Sequence, residues 1–423
     1  MVTAINNVSV KGKQVNIVIE DGRVKSIGKA TRTGKGVTVI DGTGLTALPG
    51  FIDMHVHLRE PGFEYKEDIE SGCAAAVRGG FTAVACMPNT KPVTDSPYLV
   101  KYILMRAAQA DKCRVYPVAA ITQGEKGEQL SEMKKLKDAG AVAFSDDGVP
   151  VSDSRMMKNA LLYAATFGLT LIEHCEDKSL AEGGVVNEGE NANLLGLPGI
   201  SNAAEDAEIA RNIVLSEGYD APLHLAHVST RGGMQLIREA KARGVKVTCE
   251  TCPHYIALTD AEIAGYNTAA KVNPPLRTEK DRLAVIEAIK DGTADCIVTD
   301  HAPHSKEDKD GGMYDAPNGI SGLETSYAVC YTTLVESGTI TQERLSELMT
   351  YNPAAILGVE CGRLEKGGLA DITLVDNGAE WTVDPQKFAS KGKNTPFAGK
   401  TYKGRVEYTL VGGKVVYARR EEI

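Results

Sequence analysis

Apolar and polar positions along the chain follow two different rhythms. Over the first fifty residues, short runs of period two are broken by glycine turns. In VNIVIEDGRVKSIG (15–28) the Asp21-Gly22 pair predicts a β-hairpin. The far end repeats the rhythm in ADITLVD (370–376) and RVEYTLVGGKVVYA (405–418), with Gly412-Gly413 as the turn. Between about residues 50 and 350, short apolar runs alternate instead with amphipathic helical stretches. The strand candidates are GFIDMHVHL, TAVACMP, RVYPVAA, AVAFSDD, TLIEHCE, PLHLAHV, KVTCET and CIVTDHA. Helical patterns separate them, such as KEDIESGCAAAVRGG after the first and RLAVIEAIKDG before the eighth.

Eight strand–helix alternations predict an α/β protein with a (β/α)8, TIM-like barrel; a doubly wound sheet is the fallback. The β-rich ends predict a small β domain assembled from both termini. The expected division is 1–50 and 356–423 for that domain and 51–355 for the barrel. A length of 423 residues accommodates both.

Composition narrows the function. The net charge of -9, from 47 basic and 56 acidic residues, argues against a nucleic-acid or anionic-membrane partner. No apolar run is long enough to predict a transmembrane helix. The opening MVTAINNVSV lacks the basic and apolar regions of a secretory signal. Nine cysteines, scattered from Cys73 to Cys361 in apolar runs such as AVACM and ADCIV, suit a reducing compartment, so a cytoplasmic location is expected.

The chemistry lies in what ends the strands. His55 and His57 close the first, Asn89 follows the second, and Asp146-Asp147 close the fourth; His174, His227 and Asp300 end the fifth, sixth and eighth. In a β/α barrel those ends converge on one face. His55 and His57, two apart on a strand, point the same way and can grip one ion. Histidine and aspartate with open positions suit Zn²⁺, which acidifies bound water to a pKa of roughly 7. Two ions sharing a hydroxide need about six protein ligands, and His55, His57, Asp147, His174, His227 and Asp300 supply them. Strand parity predicts that Asp146 faces away, that only one of His224 and His227 faces the interior, with His227 the better ligand, and that His301 either supports the ligands from behind or is structural. The CxxC of Cys249 and Cys252, with His254 beyond it, reads as ordinary packing because no second pair accompanies it.

With these residues in place, DMHVHLREPG (53–62), ACMPNT (85–90), FSDDG (144–148), EHCED (173–177), HLAHVST (224–230), KVNPPLR (271–277) and TDHAPH (299–304) resemble the type I dihydroorotases, in order, from about residue 40 to 375. The resemblance implies reversible closure of N-carbamoyl-L-aspartate to L-dihydroorotate in pyrimidine biosynthesis. It implies two zinc ions per chain, one held by His55, His57 and Asp300 and the other by His174 and His227, with Asp147 and a hydroxide as bridges. Asp300 would be the catalytic base and then acid. His57, Arg59, Asn89 and His304 would meet the substrate and its carboxylate, and Asn273, Asn318 and Gly319 its ring. A homodimer and an association with aspartate carbamoyltransferase are the assemblies it brings into view.

Two rivals accompany that reading. Hydantoinase- and allantoinase-like enzymes usually bridge their metals with a carbamylated lysine at strand four, where AVAFSDDGV offers none. A non-catalytic dihydroorotase-like scaffold would be expected to have lost ligands, and all six stand here. The connections 183–202 and 305–322 are expected to be long loops and candidate lids.

Overall fold

The computed structural model describes residues 2–419. Two eight-stranded sheets organise them. The first takes strands from both ends of the chain, in the order Lys414–Ala418, Thr401–Val411, Ile372–Thr382, Thr46–Pro49, Val2–Val10, Lys13–Glu20 and Arg23–Gly28, with Val37–Asp41 also on Val2–Val10. Asp21 and Gly22 both adopt positive φ, as do Gly412 and Gly413, which is the backbone a two-residue hairpin turn requires. The two turns meet: Ala370 donates to the Gly22 carbonyl and accepts from the Gly413 amide. Ile5, Ile17, Ile19 and Leu45 from one end bury against Ile372, Leu374 and Leu410 from the other, so neither end has a core without its counterpart.

The second sheet is the barrel. Its strands are Phe51–Val56, Phe81–Cys86, Arg114–Ala119, Ala143–Phe144, Thr170–Glu173, Leu223–Leu225, Val247–Thr251 and Cys296–Ile297, parallel and in sequence order. It closes where Val56 bridges His301 and the His57 amide donates to the His301 carbonyl at 2.8 Å. Asp53 reinforces this seam by accepting from the amides of His55 and Thr299. The helices carry their own boundaries. In Ser154–Phe167, Asp153 caps the first turn through the Met156 amide and Gly168 ends the last in the left-handed region. Met157, Ala160, Leu161 and Ala164, at helical spacing, turn inward.

Two expectations need correction. The segment 183–202 is structured: it contains the ladder Val186–Asn187 with Gly199–Ile200 and the helix Glu190–Leu195. Arg277 reaches into it through Asn187 and the Ile200 carbonyl, and Asp260 accepts from Asn187 and Asn191. The segment 305–322 holds the short helices Lys306–Lys309 and Gly312–Asp315. Lys309 donates to the carbonyls of Lys271 and Pro317, and Lys271 to that of Ala316, so buried lysine amino groups satisfy the loop's backbone.

Candidate active site

Several barrel ladders stop two or three residues short of the polar positions. The fourth ends at Phe144, the sixth at Leu225 and the eighth at Ile297. Asp147, His227 and Asp300 therefore sit on the turns beyond, and His227 and Asp300 have φ of 33° and 46°. Side-chain alternation no longer applies there, so the parity argument fails for the sixth strand. His224 and His227 both turn to barrel carboxylates, His224 to Glu250 and His227 to Asp147.

The buried carboxylate of Asp147 lies at the centre. Its Oδ1 is 3.3 Å from His55 Nε2, 3.7 Å from His227 Nε2 and 3.9 Å from His174 Nδ1, while Oδ2 is 3.5 Å from His57 Nε2. Asp300 Oδ1 lies 3.1 Å from His57 Nε2 and 3.7 Å from His55 Nε2. All six side chains expected as ligands thus converge, in two groups that meet at Asp147. Asp146 turns the other way, accepting from the amides of Ile121 and Thr122 and from the Thr122 hydroxyl.

The donor set fits a cation. His55 Nε2 and Asp147 Oδ1 are buried with no hydrogen-bond partner, which is costly unless something else meets them. His174 Nδ1 and His227 Nε2 face each other 3.0 Å apart, where a proton or a metal must separate two lone pairs. Burial lowers the basicity of His55, but Asp147 and Glu250 more than offset this and lift its pKa well above the ordinary value. Burial likewise opposes ionisation of Asp147 and Asp300, yet the surrounding imidazoles hold both carboxyls below the usual range. Positive charge among these carboxylates is what stabilises them.

The partners that orient the histidines include one that sequence reasoning missed. Glu250, on the seventh strand, lies 2.7 Å from His55 Nδ1 and 3.1 Å from His224 Nε2, and His224 Nδ1 meets the Thr248 hydroxyl at 2.8 Å. His57 Nδ1 meets Asn89 Oδ1 at 2.9 Å, and Asn89 Nδ2 donates to Asp147 Oδ2 at 3.1 Å. Asn89, expected to bind substrate, therefore also orients two of the converging side chains. Such outer bonds leave the Nε2 atoms of His55 and His57 directed at the centre. The only sequence signal for Glu250 is a carboxylate inside an apolar strand.

Above this cluster lies a cavity of about 170 Å³ lined by His57, Arg59, Asn89, Asp147, His174, His227, Asn273, Asp300, Asn318 and Gly319, among others. His55 lies beneath it. Arg59, with φ of 61°, is fixed by the Pro303 carbonyl, and burial lowers its pKa to about 10, leaving the guanidinium charged at neutral pH. His304 stands behind Arg59 rather than in the wall. Its Nε2 donates to the Asn318 carbonyl at 2.8 Å, and burial together with Arg59 and Lys66 pushes its pKa down to about 2. His301 is structural, between Glu67 and the Gly322 amide. Cys249 and Cys252 are free and buried.

Known proteins are similar to this chain in sequence and in fold. Residues 44–233 match the family described as dihydro-orotase-like. A dihydroorotase of Geobacter metallireducens is 55% identical over 96% of this chain and 95% of its own. One from Acetivibrio thermocellus is 53% identical over 95% and 94%. Among solved structures, the L-hydantoinase of Arthrobacter aurescens superposes with a TM-score of 0.88 at 27% identity, over 99% of this chain and 96% of its own. No helix among the described residues is long and apolar enough to cross a membrane. With identity above one half across nearly the whole length, and with the barrel and its ring of histidines and aspartates in place, the chain belongs to the dihydroorotase family of cyclic amidohydrolases.

Proposed function

We propose that the chain interconverts L-dihydroorotate and N-carbamoyl-L-aspartate at two zinc ions, one held by His55, His57 and Asp300, the other by His174 and His227, with Asp147 shared. The observation that carries this reading is the placement of Asp147 between two histidine groups, beneath a small cavity with a cationic wall. Zinc in that site would acidify a water to a pKa of roughly 7 and polarise the ring carbonyl.

The remaining work falls to the chain's own side chains. Arg59 presents a planar fork to the substrate carboxylate and sets the ring's orientation. Asp300 turns Oδ1 to the histidines and keeps Oδ2 for the proton. It takes that proton from the attacking water and returns it to the ring nitrogen as the carbon–nitrogen bond breaks; closure runs the same path backwards. Walls formed by Asn273, Asn318 and Gly319 enclose the ring and limit competing water. A cytoplasmic, small-molecule role in pyrimidine synthesis accords with this chemistry.

The fold likeness to L-hydantoinase supports a second reading, hydrolysis of another cyclic amide. Parallel assays on dihydroorotate, hydantoin and allantoin decide between them, with dihydroorotate expected to be preferred. Chelation should abolish turnover, and Zn²⁺ in CO₂-free buffer should restore it, because a native carboxylate needs no carbamylation. A strict bicarbonate requirement would overturn the Asp147 bridge.

A further inference from the structure

Glu176 follows His174 on the turn after the fifth strand. Its Oε1 accepts from Asn273 Nδ2 at 2.9 Å, and its Oε2 lies 3.9 Å from His174 Nε2. It therefore stands between His174 and the cavity wall that holds Asn273. Asn273 lines that wall, and its carbonyl oxygen Oδ1 is buried without a hydrogen-bond partner.

An asparagine amide is ambiguous by itself, since a flip exchanges donor for acceptor at little steric cost. Here the flip is blocked. A carboxylate only accepts, so turning Oδ1 toward Glu176 would set oxygen against oxygen and forfeit a charge-assisted bond. The NH₂ group is spent on Glu176, and what Asn273 retains for a ligand is an acceptor. A buried acceptor with no partner is costly, and a ligand N–H in the cavity removes that cost.

Resting on the reading above, we infer that Glu176 is a positioning residue: it locks the Asn273 amide with its oxygen toward the ligand, so the site selects a substrate carrying a free ureido N–H. A ring methylated at that nitrogen would lose the bond and leave Oδ1 unmet, and sites built this way discriminate strongly against analogues lacking the donor. Releasing Asn273 from Glu176 would let the amide rotate and relax the choice.

The test compares kcat/KM for dihydroorotate with that for its two N-methylated derivatives, on zinc-loaded wild type, Glu176→Ala and Glu176→Gln. The ratio between two substrates does not depend on the fraction of active enzyme, so partial metal loss through His174 leaves it unmoved. We expect the wild type to disfavour one methylated derivative. Glu176→Ala should lower that preference about tenfold, the worth of one hydrogen bond of about 1.4 kcal/mol. Glu176→Gln, whose amide can accept from the Asn273 NH₂ or donate to its oxygen, no longer forbids the flip and should keep only part of it. Should the alanine variant be too inactive to assay, Glu176→Asp, whose shorter carboxylate withdraws from Asn273, carries the same comparison. A ratio unchanged in the variants would overturn the inference, as would a wild type indifferent to methylation. A wild type that does not turn over dihydroorotate would instead overturn the function itself.

Discussion

Two clusters that set histidine beside carboxylate lie one above the other in the barrel. The upper one gathers His55, His57, Asp147, His174, His227 and Asp300; the lower gathers His224, Glu250 and Cys296. In the lower cluster both nitrogens of His224 and both oxygens of Glu250 have hydrogen-bond partners. In the upper cluster His55 Nε2 and Asp147 Oδ1 have none. Histidine, carboxylate and burial are shared; hydrogen bonds left unmade are not. A binding centre is marked by polar atoms that the protein itself declines to satisfy. His55 belongs to both clusters, with Nδ1 anchored below and Nε2 bare above.

The sharpest break of this contrast is between neighbours. Asp147→Ala should lose zinc and lower kcat/KM by about 10³-fold or more, the upper part of what one catalytic group contributes. Asp146→Ala should keep its zinc and much of its rate. It should lose about 1–3 kcal/mol of stability, because the Ile121 and Thr122 amides lose their acceptor. Metal analysis, rate and thermal melts on both variants decide it; the reverse ranking would move the shared ligand to Asp146.

Arg59→Met should retain metal and fold while kcat/KM falls about 10²-fold, the worth of a charge-assisted bond. Arg59→Lys should rescue little, since an ammonium lacks the guanidinium fork. A near-normal rate in the methionine variant would place the carboxylate elsewhere. Smaller still, Glu250→Gln should weaken zinc binding by about 10–100-fold, the usual cost of losing the partner that orients a metal-ligating histidine. Competition with a chelator of known affinity measures it, and unchanged affinity would separate the two clusters.

Much of this was legible in the order of residues. Both hairpin turns and all eight barrel strands could be placed, because period-two runs and Gly-containing turns are local signals. The outward turn of Asp146 agrees with the parity expectation, but beyond Phe144 it is the Ile121 and Thr122 amides that hold it. Glu250 and Glu176 were not legible, since each matters through a partner distant in sequence: His55 for one, Asn273 for the other. His224 was misjudged because alternation was extended past Leu225, where the ladder stops and His227 enters the left-handed region. The connection 183–202 looked featureless because its order comes from Arg277 and Asp260, again far along the chain.

Pairing of Thr46–Pro49 with Ile372–Thr382 has a consequence in time as well as in space. At about 5–20 residues per second, synthesis of the barrel that separates the two strands takes on the order of 15–60 s. Throughout that interval the earlier strand waits with a row of unclaimed amides and carbonyls, the surface most prone to recruit a strand from another molecule. A chain interrupted before residue 372 would carry every residue that lines the cavity and still present this open border. For this protein, then, completing the last strands protects the molecule from its neighbours more than it supplies any of its chemistry.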